Sequence, residues 1–182
     1  MGSSGLVMLS LPAHSGTHVD LVFPERRMAP ERMIGPGKLI DVTNAVGDQV
    51  TLGDVEDHGP LQSGDFVFFR TDWSEFAGTE RYWDHPELSP EVIEWLIRGK
   101  VNAVGIDALG LGRGGRHGEL DRLLAENLAN LCSVPQYAFT VYCLPLSLDG
   151  VDAIPTRVLV GIEAHGLPPG GAYGETEPVS EA

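Results

Sequence analysis

Residues 64–106 contain the stretch that most constrains the fold. Residues 65–71 carry the apolar run FVFF, which is typical of a strand buried on both faces. Ser89 and Pro90 then provide an N-cap and a first helical residue, and Gly99 is suited to end the helix. Residues 101–106 form a second apolar run, so strand, helix and strand predict a right-handed parallel crossover. The helix carries one apolar stripe of Val92, Ile93, Leu96 and Ile97.

Shorter segments complete the prediction of a single α/β domain, a mixed β-sheet with packed helices, over residues 1–163. Further apolar segments predict strands at residues 6–11, 38–43, 137–144 and 157–162. Polar, proline-rich or glycine-rich segments predict loops or short helical turns at 24–38, 51–61, 75–88 and 107–118. The last segment, 164–182, is dominated by Pro, Gly and Glu, and it is predicted to be a flexible C-terminal tail.

The composition excludes several classes of partner. The chain has 182 residues and a formal net charge of −14, from 26 acidic and 12 basic residues. This balance argues against binding to nucleic acid or to anionic membranes, because few basic groups are available to contact phosphates. No apolar stretch approaches the ~20 residues of a membrane-spanning helix, and no signal peptide is recognisable. The two cysteines, Cys132 and Cys143, are expected to be buried free thiols in a cytoplasmic protein.

The segment around residues 14–20 combines the usual ligands of a divalent metal. His14, His18 and Asp20 are spaced His-x3-His-x-Asp, and neutral imidazole and carboxylate are common ligands of zinc, manganese and iron. On a helix Asp20 would point away from the two histidines, whereas in an extended segment all three share one side. Gly16 disfavours a helix. We therefore predict an extended segment that directs three ligands at one cation; the alternative is a hydrophilic loop with incidental histidines.

The same segment resembles the signature His-x-Gly-Thr-His-x-Asp-x-Pro-x-His of the cyclase family of metal-dependent hydrolases. This family contains bacterial kynurenine formamidase and isatin hydrolase. Four further segments resemble family motifs in the same order, at residues 64–74 (GDFVFFRTDWS), 88–91 (LSPE), 104–107 (VGID) and 126–131 (ENLANL). The resemblance covers most of the chain and implies the swivelling β/β/α fold of the family.

The resemblance also implies further metal ligands and a cofactor. Glu126 matches the ligand carboxylate of the ENL segment, and His117 stands closest to the family's second ligand histidine, although its spacing from Glu126 is shorter than usual. A buried carboxylate at Glu126 would be costly without a cation nearby. The implied cofactor is a divalent metal, zinc or manganese, bound by His14, His18, Asp20, His117 and Glu126.

The sequence departs from the family in two places. Val22 and Pro24 occupy the positions of the family's proline and catalytic histidine. Glu25 is the nearest proton-transfer group and is the candidate catalytic residue; the alternative is a solvated charge beside Arg26 and Arg27. The segment before the metal motif is also shorter than in most members, which suggests a sheet edge covered by a partner subunit and a homodimer or higher homo-oligomer.

Three functions remain open from the sequence. The first is a hydrolase that acts on carbon–nitrogen bonds other than peptide bonds, with an amide, formamide, lactam or lactone as its small-molecule substrate. The aromatic residues at 75–88 suit an aromatic substrate of that kind. The second is a metal-dependent cyclase or dehydratase of a biosynthetic pathway. The third is a catalytically impaired member that only binds metal.

Overall fold

In the described part of the chain, the fold is a mixed β-sheet with two α-helices. A computed structural model describes residues 7–21, 32–112, 120, 123–136 and 138–162. In these residues the helices are α1 (Leu52–Val55) and α2 (Pro90–Gly99). The strands are β1 (His18–Leu21), β2 (Ile34–Asp41), β3 (Gln49–Val50), β4 (Phe66–Arg70), β5 (Glu87–Leu88), β6 (Ala103–Ile106), β7 (Leu123–Glu126), β8 (Phe139–Cys143), β9 (Ala153–Pro155) and β10 (Val158–Gly161). Short 3-10 helices lie at Glu56–His58, Trp73–Phe76, Glu80–Asp84 and Leu131–Ser133.

Eight of these strands form one curled sheet, in the order β10-β8-β2-β4-β6-β7-β1-β9. The four central strands β2, β4, β6 and β7 are parallel to one another. On either side of them, each further strand is antiparallel to its neighbour, in the pairs β2–β8, β8–β10, β7–β1 and β1–β9. The short strands β3 and β5 form a separate parallel pair. The predicted α/β class, with a mixed sheet and packed helices, is confirmed.

Side chains that alternate along the central strands form two hydrophobic clusters, one on each face of the sheet. In β4, Val67 and Phe69 pack with α2 on one face, and Phe66 and Phe68 pack into the opposite cluster. All four are almost completely buried. The strand is therefore covered on both faces, as its continuous apolar run predicts.

Helix α2 forms where its capping residues predict. The Oγ atom of Ser89 accepts a hydrogen bond from the backbone N–H of Val92 at 3.4 Å, and Pro90 is the first helical residue. Gly99 ends the helix, and Lys100 follows in a left-handed conformation with φ 52°. The buried stripe of Val92, Ile93 and Leu96 packs on the face of the sheet that bears Val67 and Phe69.

Other segments differ from their predictions. Residues 7–11 lie outside any strand, and residues 34–38 belong to β2 rather than to a loop. Residues 123–126 form strand β7, for which the sequence indicated no strand. Cys132 is exposed, not buried, because Leu131 is the residue of its 3-10 helix that faces the core. The predicted tail at 164–182 lies outside the described residues.

Within the part of the chain that the structure describes, no helix combines the length and apolar character needed to cross a bilayer.

Candidate metal centre

The candidate centre forms where the first residue of β1 meets the last residue of β7. The two strands are antiparallel, with His18 paired to Glu126 and Asp20 paired to Leu124. Directly opposed side chains on adjacent strands point to the same face. His18, Asp20 and Glu126 therefore share the face of the sheet that carries α2, while Val19 between them packs into the opposite cluster. This end of β7 is also the carboxyl edge of the parallel strands, where open α/β sheets commonly bind ligands.

A turn before β1 brings His14 to the same place. The extended segment predicted for residues 14–20 is only partly correct, because β1 begins at His18 and His14 lies in the preceding turn. Gly16 in this turn has φ +60°, a left-handed conformation that favours glycine. Its carbonyl oxygen accepts a hydrogen bond from Nδ1 of His18 at 2.8 Å. The three side chains therefore converge by means of a turn and a strand start rather than by strand alternation alone.

The potential ligand atoms of His14, His18 and Asp20 lie within 4.8 Å of one another. Nδ1 of His14 is 3.2 Å from Nε2 of His18 and 3.1 Å from Oδ1 of Asp20. Nε2 of His18 is 3.3 Å from the same oxygen and 3.4 Å from Oε2 of Glu126. Ligand atoms around a tetrahedral zinc ion, with bonds of about 2.0–2.1 Å, lie roughly 3.3 Å apart. The spacing of His14, His18 and Asp20 therefore suits a shared divalent cation, and Glu126 lies beside His18.

The charges around His18 favour a positive species at this point. Burial on its own lowers the pKa of this almost fully buried imidazole. Close contacts of its Nε2 with the carboxylates of Asp20 and Glu126, together with the hydrogen bond of Nδ1 to the Gly16 carbonyl oxygen, outweigh that effect and raise the pKa to about 10. The same carboxylates that hold a proton on the imidazole would stabilise a metal ion in its place.

The carboxylate of Asp20 gives an independent indication. Its Oδ1 atom is buried and makes no hydrogen bond of acceptable geometry within the described residues, although two ring nitrogens lie close by. A buried acceptor without a donor is costly. A cation bound between the imidazoles and this oxygen would remove that cost, so the residues present fit the divalent metal that the sequence suggests.

A second row of hydrogen bonds supports the centre, and few of these contacts could be predicted from the sequence. The hydroxyl of Tyr82 donates to Oδ1 of Asn127 at 2.6 Å, and the side-chain amide of Asn127 lies 3.4 Å from Nδ1 of His18. The hydroxyl of Thr17 donates to the backbone oxygen of Asn127 at 2.6 Å. Asp152 contacts His14, with Oδ2 3.3 Å from Nε2. Asn127 lies in the segment 126–131 that resembles a family motif, and Tyr82 lies in residues 73–86, called the aromatic loop below. Asp152 belongs to no recognised motif.

A buried carboxylate organises the neighbouring strand ends. Asp107, directly after β6, accepts hydrogen bonds from the backbone and hydroxyl of Thr71 at 2.8 and 2.6 Å, and from the backbone of Asp72 at 2.9 Å. Burial raises the pKa of Asp107, although these hydrogen bonds oppose the change. Asp72 has φ 60°, and its carboxylate pairs with both Nε and Nη2 of Arg70. These contacts fix the turn from which the aromatic loop departs.

Two candidates from the sequence are not located by this structure. Glu25, the candidate proton-transfer residue, and His117, the candidate fifth ligand, both lie outside the described residues. Their roles stay predictions.

Comparison with known proteins identifies the family. The family model described as "Putative cyclase" matches residues 7–113, which is more than half of the chain. Isatin hydrolase of Roseibium aggregatum is 26% identical over 189 residues, which cover 82% of this chain and 72% of that protein. Kynurenine formamidase of Sphingopyxis alaskensis is 30% identical over 166 residues, with coverage of 82% and 77%.

The solved structures agree with this assignment. A protein described as a potential metal-dependent hydrolase with cyclase activity superimposes with a TM-score of 0.70 at 30% identity, covering 83% of this chain and 80% of its own. The sheet is a curled half-barrel like those of its structural neighbours. Hydrolase chemistry is therefore supported at the level of the family. The chain belongs to the putative cyclase family, as the motifs at residues 14–20 and 126–131 indicated.

Proposed function

We propose that this protein is a metal-dependent hydrolase of a small amide, formamide, lactam or lactone, with an aromatic cyclic or formyl amide as the expected class. The proposal rests on the convergence of His14 and His18 on Oδ1 of Asp20, a buried oxygen that makes no hydrogen bond of acceptable geometry within the described residues. Zinc or manganese is the proposed metal, because imidazole and carboxylate ligands suit both.

The chain's own residues supply the binding groups. Nδ1 of His14, Nε2 of His18 and Oδ1 of Asp20 would hold the cation, with Glu126 beside them. A divalent cation at such a site polarises a carbonyl and lowers the pKa of water near it. The Gly16 carbonyl keeps the proton of His18 on Nδ1 and leaves Nε2 free as a ligand atom. The side chains of His14 and Asp20 are 49% and 27% exposed, so a cation held here would be accessible to water and substrate from that side.

The aromatic loop supports the aromatic character of the proposed substrate. Trp73 and Phe76 stack edge to face with ring centroids 5.0 Å apart, and the guanidinium of Arg81 lies over both rings. Nε1 of Trp73 donates to the backbone oxygen of Tyr82, whose hydroxyl reaches Asn127 beside the centre. The loop is therefore tied to the candidate centre. The names of two relatives, isatin hydrolase and kynurenine formamidase, point to substrates of the same class.

Two further residues belong to the proposal: His117 because of the family resemblance, and Glu25 because it is the nearest proton-transfer group to the position of the absent family histidine. We assign His117 as an additional ligand and Glu25 as the group that transfers a proton in place of the absent family histidine. A positioned proton-transfer group typically contributes ~10²–10⁴-fold to a rate, so Glu25→Gln should lower kcat in that range.

The test is a hydrolysis assay of the Zn²⁺- and Mn²⁺-supplemented protein with isatin, an N-formyl aromatic amide and an aliphatic lactone. We expect turnover of at least one aromatic substrate. The hydrolytic activity of the His18→Ala variant should fall more than about 100-fold, because changes to residues that only support the ligands already cost 10–100-fold in activity or metal affinity. A His58→Ala control should keep full activity. Absence of hydrolysis in metal-loaded wild type, or equal activity of His18→Ala, would contradict the proposal and leave the cyclase or dehydratase alternative to be assayed.

A further inference from the structure

We propose that Asp152 is a positioning residue that fixes the tautomer and ring orientation of His14, so that His14 binds the metal through Nδ1. The inference rests on the proposed metal centre and assigns a role to a carboxylate outside the expected ligand set. Asp152 lies in the loop before β9, more than 130 residues along the chain from His14.

The two histidines present opposite ring nitrogens to the centre. In His18, Nε2 faces Asp20 and Glu126, and Nδ1 contacts the Gly16 carbonyl oxygen. In His14, Nδ1 faces His18 and Asp20 at 3.2 and 3.1 Å, and Nε2 faces Oδ2 of Asp152 at 3.3 Å. A neutral imidazole carries one N–H donor and one lone pair. A carboxylate at Nε2 therefore selects the tautomer with the proton on Nε2, which leaves the Nδ1 lone pair for the metal.

His14 needs such a partner more than His18 does. The side chain of His14 is 49% exposed, whereas that of His18 is 2% exposed and is held by the surrounding core. His14 also lies in a turn rather than in the sheet. His18 is therefore held by packing and by its hydrogen bond to Gly16, whereas the half-exposed ring of His14 depends more on polar contacts, among them the one from Asp152 at Nε2.

The backbone around Asp152 is tied to the metal-binding strand. Its carbonyl oxygen accepts a hydrogen bond from the backbone N–H of Leu21 at 2.7 Å. The next residue, Ala153, pairs with Asp20 in the β1–β9 ladder, and the backbone N–H of Thr156 donates to the oxygen of Thr17 at 2.9 Å. Asp152 thus directly precedes the strand that flanks β1, and that strand is in register with two of the proposed ligands, His18 and Asp20.

This arrangement predicts an effect on metal affinity rather than on folding. The side chain of Asp152 is 73% exposed, and exposed ion pairs contribute little to stability. Partners that donate to or accept from the outer nitrogen of a ligand histidine commonly change metal affinity 10–100-fold. Asp152 should therefore matter when the cation binds and have little effect on the metal-free fold.

The experiment measures the Kd for Zn²⁺ by competition with a chromophoric chelator in the full-length protein. Asp152→Ala should weaken binding 10–100-fold. Asp152→Asn should weaken Zn²⁺ binding less, because the amide oxygen of asparagine can still accept a hydrogen bond from the Nε2–H of His14. Asp57→Asn, a matched change of charge at an exposed aspartate of the 3-10 helix after α1, should bind Zn²⁺ within about twofold of wild type. Thermal unfolding of the metal-free variants should match wild type; if Asp152→Ala does not fold, Asp152→Asn decides the question.

A spectroscopic readout separates positioning from a general charge effect. Two-bond ¹H–¹⁵N correlation spectra of the zinc-loaded protein should show the His14 ring protonated at Nε2 and the His18 ring protonated at Nδ1. A His14 ring protonated at Nδ1, or Zn²⁺ affinity of Asp152→Ala within twofold of wild type, would overturn this inference. Failure of wild type to bind Zn²⁺ at all would instead refute the proposed centre, and this inference with it.

Discussion

At the scale of single residues, Gly110 keeps open the space beside Glu126. A Cβ atom added at Gly110 would lie 3.0 Å from Oε1 of the glutamate, closer than most such contacts. The carboxylate would have to move by a few tenths of an ångström. We expect Gly110→Ala to weaken Zn²⁺ binding measurably and to leave the thermal unfolding of the metal-free protein nearly unchanged.

The control for this prediction is Gly53→Ala in α1. A Cβ atom there meets only the Thr51 hydroxyl, at an ordinary 3.8 Å. Zn²⁺ titration of both variants against wild type is the measurement. Unchanged Zn²⁺ affinity in Gly110→Ala would show that Glu126 does not need its present position.

The two cysteines should differ sharply in reactivity. Burial raises the pKa of Cys143 to about 12 from an ordinary value of 9.0, and its side chain is 2% exposed. The thiolate is the reactive species, so Cys143 stays protonated and protected at pH 9. Cys132 is exposed. We expect iodoacetamide to label one thiol of the native protein at pH 8–9, identified by peptide mass spectrometry as Cys132, and to label both after unfolding. Rapid native labelling of Cys143 would contradict its buried position.

At the scale of elements, one hydroxyl ties the aromatic loop to the candidate centre. Tyr82→Phe removes the donor to Asn127 while keeping the ring, and it leaves a part-buried acceptor unpaired. We expect a loss of about 1 kcal/mol in the free energy of unfolding, measured by urea denaturation. Tyr142→Phe, at an exposed tyrosine of β8, is the matched control and should change it by less than about 0.5 kcal/mol. Equal effects of the two variants would argue against this connection.

Local signals were enough to predict β4, α2 and β6. The continuous apolar run and the Ser–Pro cap specify these elements whatever surrounds them. Strand β7 was missed because its sequence, LLAE, has the composition of a good helix former. It becomes a strand through pairing with β6 on one side and β1 on the other, which is a property of the tertiary structure.

The start of β2 was missed for a related reason. Its sequence IGPG predicts a loop. In the sheet, the absence of a side chain at Gly37 provides the space that the ring of Phe139 occupies, since a Cβ atom there would overlap the ring. That packing joins residues about 100 positions apart and leaves no local trace in the sequence.

The candidate site also combines residues that the sequence predicted with contacts that depend on the tertiary structure. The spacing of His14, His18 and Asp20 indicated a shared centre, although the turn that delivers His14 was not foreseen. The resemblance alone suggested Glu126, whose proximity to His18 depends on the register of two strands. Asp152 reaches the centre through the β1–β9 ladder, and no sequence pattern predicted that contact.

At the scale of the whole molecule, one side of the sheet retains an exposed apolar row. Ile34, Tyr142 and Leu159 are aligned across β2, β8 and the outermost strand β10, with exposures of 45%, 37% and 54%. Apolar residues aligned at a sheet edge are usually covered in the functional assembly. We expect a homodimer or larger oligomer by light scattering at micromolar concentration, and a shift towards the monomer in Leu159→Lys. A monomeric mass for wild type would refute this prediction.

We expect His14, His18 and Asp20 to bind one divalent cation together, with Glu126 beside them. Metal analysis of the purified protein, after incubation with Zn²⁺ or Mn²⁺ and removal of the excess, measures this binding. It should find about one tightly bound ion per chain, a sharp loss in His18→Ala, and retention in His58→Ala, whose histidine lies in the 3-10 helix after α1. A cation that binds only the folded state also stabilises it, so His18→Ala should lose the metal-dependent rise in Tm. Full metal content in His18→Ala, together with loss in Glu126→Ala, would show that the site is centred on the later segment and not on His14, His18 and Asp20.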